Sequence, residues 1–335
     1  MRIRALAIAF AAITGIATPA AAQRTDVVFA LPAVNLAFAP VFIADSLGYW
    51  KDAGLDVKMP VISGIGAINS VLAGSADFAI ATGQTVIRAN TRGQKAVVVV
   101  SFFTNLAHEL VISKSLADAA GVRLDSPLAK RVQAIKGKKI AVNATNAIPH
   151  AYLRLFARKG GIDPEREVTV AVMSPEASFA ALKSGAIDGL VQALPHSLVP
   201  MRQGTGVLIS SNLRERMDFP EFVPQVFNGV VTRAGLCSAK PTVCERTVAG
   251  FVRGMVYMQD HPKDSIDILG KRFPSEDRPL LEEAYALMIK WTPRNGTMTD
   301  ENWSTAQEML VAGGMIKPEE KLKSFKELYT NQYAK

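Results

Sequence analysis

Hydrophobic positions along the chain switch repeatedly between short runs and a helical spacing. Residues 26–31 (Asp-Val-Val-Phe-Ala-Leu), 56–59, 77–80 and 96–103 are apolar or β-branched runs that predict strands. Between them, 39–53 sets Val41, Phe42, Ala44, Leu47 and Trp50 near helical spacing, and Gly54 stands where a helix would stop. Two further helices are predicted over 65–72 and 84–91. The same alternation resumes near Lys138, with strands over 139–142, 168–172 and 187–191 and helices over 147–159 and 176–183. Strands and helices alternating at this spacing predict wound α/β sheets with parallel strands.

The two stretches also match in their turns. Gly54-Leu-Asp56 corresponds to Gly161-Ile-Asp163, and Gly74-Ser-Ala-Asp77 to Gly185-Ala-Ile-Asp188. Each stretch thus runs helix, Gly-x-Asp, strand, helix, Gly-x-x-Asp, strand, which predicts two similar lobes. Shared turn chemistry alone is the plainer alternative. From about residue 240 the character changes to helices over 242–260, 262–271, 276–290 and 300–312. Such a tail is expected to pack back on the first lobe. The expected division is 23–109 for the first part of lobe 1, 110–228 for lobe 2 and 229–335 for the return. The chain would cross between lobes near 106–114 and 226–233, through the apolar or β-branched segments Leu110–Ile112, Val226-Phe227 and Val230–Thr232.

Residues 1–22 read as an address rather than part of a fold. Arg2 and Arg4 precede the apolar stretch Ala5–Ile13, and Ala20-Ala21-Ala22 offers small residues for cleavage, leaving Gln23 first. No later stretch has the roughly 18 uncharged apolar residues of a membrane span. Two cysteines, Cys237 and Cys244, fit a small-loop disulfide in an oxidising compartment, worth roughly 2 kcal/mol by chain entropy. Two unpaired buried thiols are the alternative reading.

Charge and chemistry narrow the classes. Lys and Arg number 38 against 30 Asp and Glu; without Arg2 and Arg4 the balance is 36 against 30, or +6. These positives are scattered, so no nucleic-acid surface is expected. Four dispersed histidines and no Cys-x-x-Cys predict no metal site. No cofactor is expected either: Gly64-Ile-Gly66 lacks the third glycine of a dinucleotide fingerprint, because residue 69 is Asn. His108-Glu109 begins a zincin motif that Ile112 breaks, and no Gly-x-Ser-x-Gly elbow occurs. The expectation is a non-enzyme.

The stretch Ala39-Pro-Val-Phe-Ile-Ala44, Gly48-Tyr-Trp-Lys51, Ala53-Gly-Leu-Asp-Val57, followed by Ala73-Gly-Ser-Ala-Asp-Phe-Ala79, carries a family resemblance. It resembles the substrate-binding proteins of ABC importers for nitrate, sulfonates, taurine and pyrimidine precursors, the NMT1/THI5-like family. Trp50 stands where that family more often has Phe. The resemblance implies a two-lobed periplasmic binding protein (type II), α/β in class, each lobe a wound sheet flanked by helices. It implies capture of a small organic anion, zwitterion or polar ring compound by hinge closure. It also implies a periplasmic location, an inner-membrane ABC permease as partner and a monomeric state. Rival readings are a sensor for a membrane-bound regulator and a pyrimidine-synthase-like enzyme. The cysteine-rich motif of those synthases is absent.

In wound sheets a ligand sits beyond the carboxyl ends of the strands, near helix N-termini. The loops that fit are those of Asn35 and Phe38, of Ser63 and Gly66, of Gly83 and Gln84, and of Thr145 and Asn146. Glu176 and Gln192 occupy the same rim by analogy, and His108 lies on the approach to the first crossing. Each has a plainer role: Ser63, Thr82, Thr145, Asn146 and Ser174 as helix caps, Phe38 as core, Glu176 as a helix-dipole partner. These loops hold donors and few acids, which suits an anion or polar ring. Arg88 lies in a helical pattern and reads as solvated.

Overall fold

The structure, a computed structural model, describes residues 24–334. The expected export signal therefore lies outside the described residues. Ten strands form two five-stranded sheets. The first contains β1 (Thr25–Ala30), β2 (Leu55–Lys58), β3 (Phe78–Thr82) and β4 (Ala96–Phe103). The second contains β5 (His108–Ser113), β6 (Lys139–Val142), β7 (Thr169–Val172), β8 (Gly189–Ala193) and β9 (Gly206–Ser210), and β10 (Asn228–Arg233) returns to the first. The orders are β2-β1-β3-β10-β4 and β7-β6-β8-β5-β9. Sheet two thus repeats sheet one position for position, with β5 and β10 as equivalents.

The sheets are mixed rather than all parallel. β1 runs parallel to β2 and β3, and β6 to β7 and β8. β10 is antiparallel to β3 and β4, and β5 to β8 and β9. In each sheet the antiparallel strand enters from the other lobe. Of the segments expected as crossings, Val226-Phe227 does lie in one, whereas Leu110–Ile112 and Val230–Thr232 are interior positions of β5 and β10. The crossings themselves are residues 104–107 and 211–227.

Local chemistry explains much of this layout. Gly74 and Gly185 both take left-handed backbone (φ 81° and 77°), ending a helix so that the chain can turn back into a strand. Asp77 and Asp188 then do the same job. Asp77 Oδ2 accepts from the Val28 N–H at 3.0 Å, and Asp188 Oδ2 from the Lys139 N–H at 2.8 Å. The other matched pair diverges: Asp56 lies within β2, whereas Asp163 caps the short helix 164–167. The expected helix over 39–53 is two helices, Ala39–Ser46 and Tyr49–Asp52, because Gly48 turns left-handed between them (φ 71°).

The helical tail covers lobe 1. Helix Pro241–Asp260 crosses Ala39–Ser46 at a close approach that glycines permit. A Cβ at Gly250 would lie 2.3 Å from Trp50 Cδ1, and one at Gly254 2.6 Å from the Pro40 carbonyl oxygen. Trp50 donates to the Thr247 carbonyl at 2.9 Å, and Phe29, Phe78, Phe102 and Phe251 complete an aromatic core. Cys237 and Cys244 are disulfide-bonded, joining helix Leu236–Ala239 to the first turn of this long helix. Further on, helix Asp300–Ala312 lies on helix Gly83–Thr91, and Leu328 and Thr330 bond the edge of β4 at Val98.

Candidate functional site

Topology alone brings the two rims together. β1, β3, β6 and β8 end in Leu31–Asn35, Thr82–Gln84, Asn143–Asn146 and Ala193–His196. β5 is antiparallel, so its first residue, His108, pairs with Ala193 at the end of β8. Likewise Asn228 at the start of β10 pairs with Thr82 and with Phe103. Both crossings therefore run from one rim to the other. The first, Thr104–Ala107, can span at most about 14 Å. The carboxyl ends of the two sheets are thereby held close to one another.

The crossings are tied to one another. Gln225 N–H donates to the Thr104 carbonyl at 2.9 Å, and Phe227 N–H to the Phe103 carbonyl at 3.0 Å. Asn105 Nδ2 donates to the Asn212 carbonyl at 2.6 Å, and Asn212 Nδ2 to Asn105 Oδ1 at 2.8 Å. This reciprocal amide pair is fully buried. It leaves the two segments bonded along their length, a compact axis about which lobes can turn.

Several of the expected residues gather around this axis. Gln84, fully buried, donates to Gln225 Oε1, and its own Oε1 is enclosed without a partner. Gly83 is required by the second crossing: its N–H bonds the Phe227 carbonyl, and a Cβ would lie 2.2 Å from the Val226 oxygen. His108 lies edge-on to Phe227 with ring centroids 6.0 Å apart. Its Nδ1 is enclosed without a partner, and burial pushes its pKa down to about 4, so the ring is neutral near pH 7. Gln192 is buried with its Nε2 unpartnered, but it pairs with Glu109 and so points to the sheet face opposite His108.

The other candidates are spread along the rims. Asn35 Oδ1 accepts from the Ala37 N–H at 2.8 Å and caps a short 3-10 turn, Leu36–Phe38; Phe38 is half-buried. Ser63 is exposed, and Gly66 opens helix Gly66–Leu72, close against Ile62. Thr82 and Ser174 cap their helices, accepting from Thr85 N–H at 3.1 Å and Ala177 N–H at 3.3 Å. Thr145 and Asn146 are exposed and cap nothing: helix Ile148–Lys159 starts from Ala147. Glu176 is exposed in the first turn of helix Pro175–Ser184, where its own backbone N–H holds the carboxyl below its usual range. Two surface cavities, of about 350 and 310 Å³, flank lobe 1 and include none of the candidates.

Arg88 lies in helix Gly83–Thr91, as the periodicity predicts, but it also reaches lobe 2. It is half-buried, and Nη1 donates 3.2 Å across the cleft to the Asn146 carbonyl. Burial, then the neighbouring Arg92, lowers its pKa. A residue one helical turn from Gln84 shares its face; that spacing was the available signal.

Buried charge is consumed elsewhere. Glu109 accepts from Ser197 and Ser211 hydroxyls, both at 2.7 Å, and from Arg214 Nε at 3.2 Å. Arg131 and Asp218 form a fully buried bidentate pair at 2.8 and 2.7 Å. Both sets fasten the 211–222 segment to lobe 2.

Two sheets of matching order joined by paired crossings, with loops facing across the gap, are the architecture of the periplasmic binding proteins. The chain belongs to the NMT1/THI5-like family, whose signature matches residues 35–265. Among solved structures it is similar to the alkanesulfonate-binding protein SsuA from Xanthomonas axonopodis pv. citri bound to MOPS. That likeness has TM-score 0.70 at 15% identity and covers 92% of this chain and 100% of SsuA. The Bacillus subtilis protein YtlA is 20% identical over 289 residues, 84% of this chain and 81% of YtlA. The nitrate import ATP-binding protein NrtC of Synechococcus elongatus is 27% identical over 212 residues. That match covers 60% of this chain and 32% of NrtC, so the chain spans about a third of that relative.

Proposed function

We propose that this protein is the solute-binding component of an ABC importer, holding a small organic anion, zwitterion or polar ring compound between its lobes. The observation that carries the reading is the pair of facing carboxyl-end rims joined by bonded crossings. On this reading Gln84 and His108 would meet the solute near the axis, and Asn35, Ser63, Thr145, Asn146 and Glu176 would meet it from the rims. Family membership supports it, as do the relatives' roles in sulfonate binding and nitrate import. The solute favours the closed form in proportion to its extra contacts there. Closure then presents a joined surface that an inner-membrane permease can read. The protein would act in the periplasm as a monomer without cofactor or turnover; the Cys237–Cys244 disulfide fits an oxidising compartment.

The test is a thermal-shift screen against alkanesulfonates, nitrate, pyrimidines and aromatic acids, with small-angle scattering on every hit. A binding solute should raise the melting temperature and reduce the radius of gyration of whatever open population the solute-free protein has. A screen in which no solute raises the melting temperature, or chemical conversion of the solute, would overturn the reading.

A further inference from the structure

The contact between Arg88 and the Asn146 carbonyl joins the rims at a point remote in sequence from either crossing. Asn146 is the sole non-glycine residue with positive φ among the described residues, at 55°. Asparagine tolerates that region better than most side chains, but it remains an uncommon conformation. Three neighbours hold it there. Its N–H donates to His150 Nδ1 at 3.2 Å, its Oδ1 accepts from Arg154 Nη1 at 3.3 Å, and Arg88 takes its carbonyl. His150 and Arg154 both belong to helix Ile148–Lys159 of lobe 2. The lobe-2 side of this contact is thus built from within lobe 2 and offers its carbonyl outward. On the lobe-1 side, no carboxylate pairs with Arg88 among the described residues, so the contact across the cleft is its charge-assisted bond.

We infer that Arg88 is a positioning residue, a latch that stabilises the closed arrangement of the lobes by engaging the carbonyl which the left-handed Asn146 presents. This rests on the two-lobed binding reading and deepens it: together with the Arg158 bond to the Ala312 carbonyl at 2.6 Å, the latch raises the share of the protein that is closed before solute arrives. A solute binding only the closed form has its apparent affinity scaled by that fraction.

The full-length mature protein is tested without solute. Spin labels at exposed Asp56 and Thr169, on edge strands β2 and β7 far from the crossings, report lobe separation by pulsed electron resonance. R88A should lower the closed-to-open ratio about tenfold, the scale of one partly exposed charge-assisted hydrogen bond. N146V, which disfavours positive φ, should do the same, whereas N146G should leave the ratio within about twofold. R88A combined with N146V should be no worse than R88A alone, because both remove one interaction. R92A, which removes an equal charge from the same helix region, should have little effect. An open wild type, an R88A protein as closed as wild type, or an N146V protein that stays closed while R88A opens would each overturn the latch. Those results leave solute binding intact; failure of every solute to raise the melting temperature would instead remove the binding reading.

Discussion

The two lobes share one strand order and solve burial differently. Among the described residues, lobe 1 buries polar side chains such as Gln84, Ser101 and Thr247 but no charged one. Phe29, Trp50, Phe78, Phe102 and Phe251 fill the space between its sheet and the returning C-terminal helix. Lobe 2 instead seals charge inside: Glu109, Arg131 and Asp218 are all buried, with Ser197, Ser210 and Ser211 around them. Tyr152 meets Ser210 at 2.8 Å there, and Arg131 holds Asp218. The contrast shows that topology does not dictate core chemistry. A chain that returns to lobe 1 with a long amphipathic helix supplies apolar cover. A return segment that merely passes over lobe 2 must be pinned by directional bonds.

Breaking the pin should have the largest effect. R131A or D218A leaves one buried charge unpaired, and should cost about 3–5 kcal/mol in urea melts. R131M combined with D218L, which removes both charges, should cost far less than either single change. A single-variant loss below about 1 kcal/mol would mean that lobe 2 does not depend on polar fasteners. Next comes the histidine at the boundary. His108 has a folded pKa of about 4 against an ordinary 6.5. Above pH 6.5 neither state binds the proton; between 6.5 and 4 the unfolded chain binds it and the folded one does not. Stability should therefore fall as pH drops through that window, by up to roughly 3 kcal/mol, and level off below it. H108F should flatten this limb of the curve, measured as unfolding free energy from pH 7 to 4; an unchanged slope would place the lost stability elsewhere. The smallest effect tests the symmetry itself. D77A and D188A each remove a carboxylate from a strand N–H, and each should cost about 1 kcal/mol. Asp77 also faces Lys240 at 3.2 Å, so its loss should be the slightly larger. A difference of several kcal/mol would show that the repeated turn is decoration in one lobe.

Chain-local features could be read from the amino acids. The turns at Gly74 and Gly185 are encoded within a few residues, because a left-handed turn needs glycine, whereas the Asp77 and Asp188 carboxylates that follow find their partners, Val28 and Lys139, only on a neighbouring strand. Most helices of the tail fall within two residues of the periodic pattern, since an amphipathic stripe is visible in any window longer than three turns. The strands β5 and β10 are different. Leu110–Ile112 and Val230–Thr232 show apolar character but not their place, because their partners lie more than 70 residues away in the chain for β8 and more than 100 for β3 and β4. Arg88 follows the same rule: a polar residue in a helix reads as solvated until another lobe closes on it.

Turns, caps, helix phases and the cysteine pair were thus written into short stretches of residues, since their energies come from groups a few positions apart. Which strand inserts antiparallel, which charges are sealed beneath the return segment and which guanidinium meets the Asn146 carbonyl depended on folding distant segments together. Those energies exist only once water has been excluded and the partners have been brought within hydrogen-bond reach.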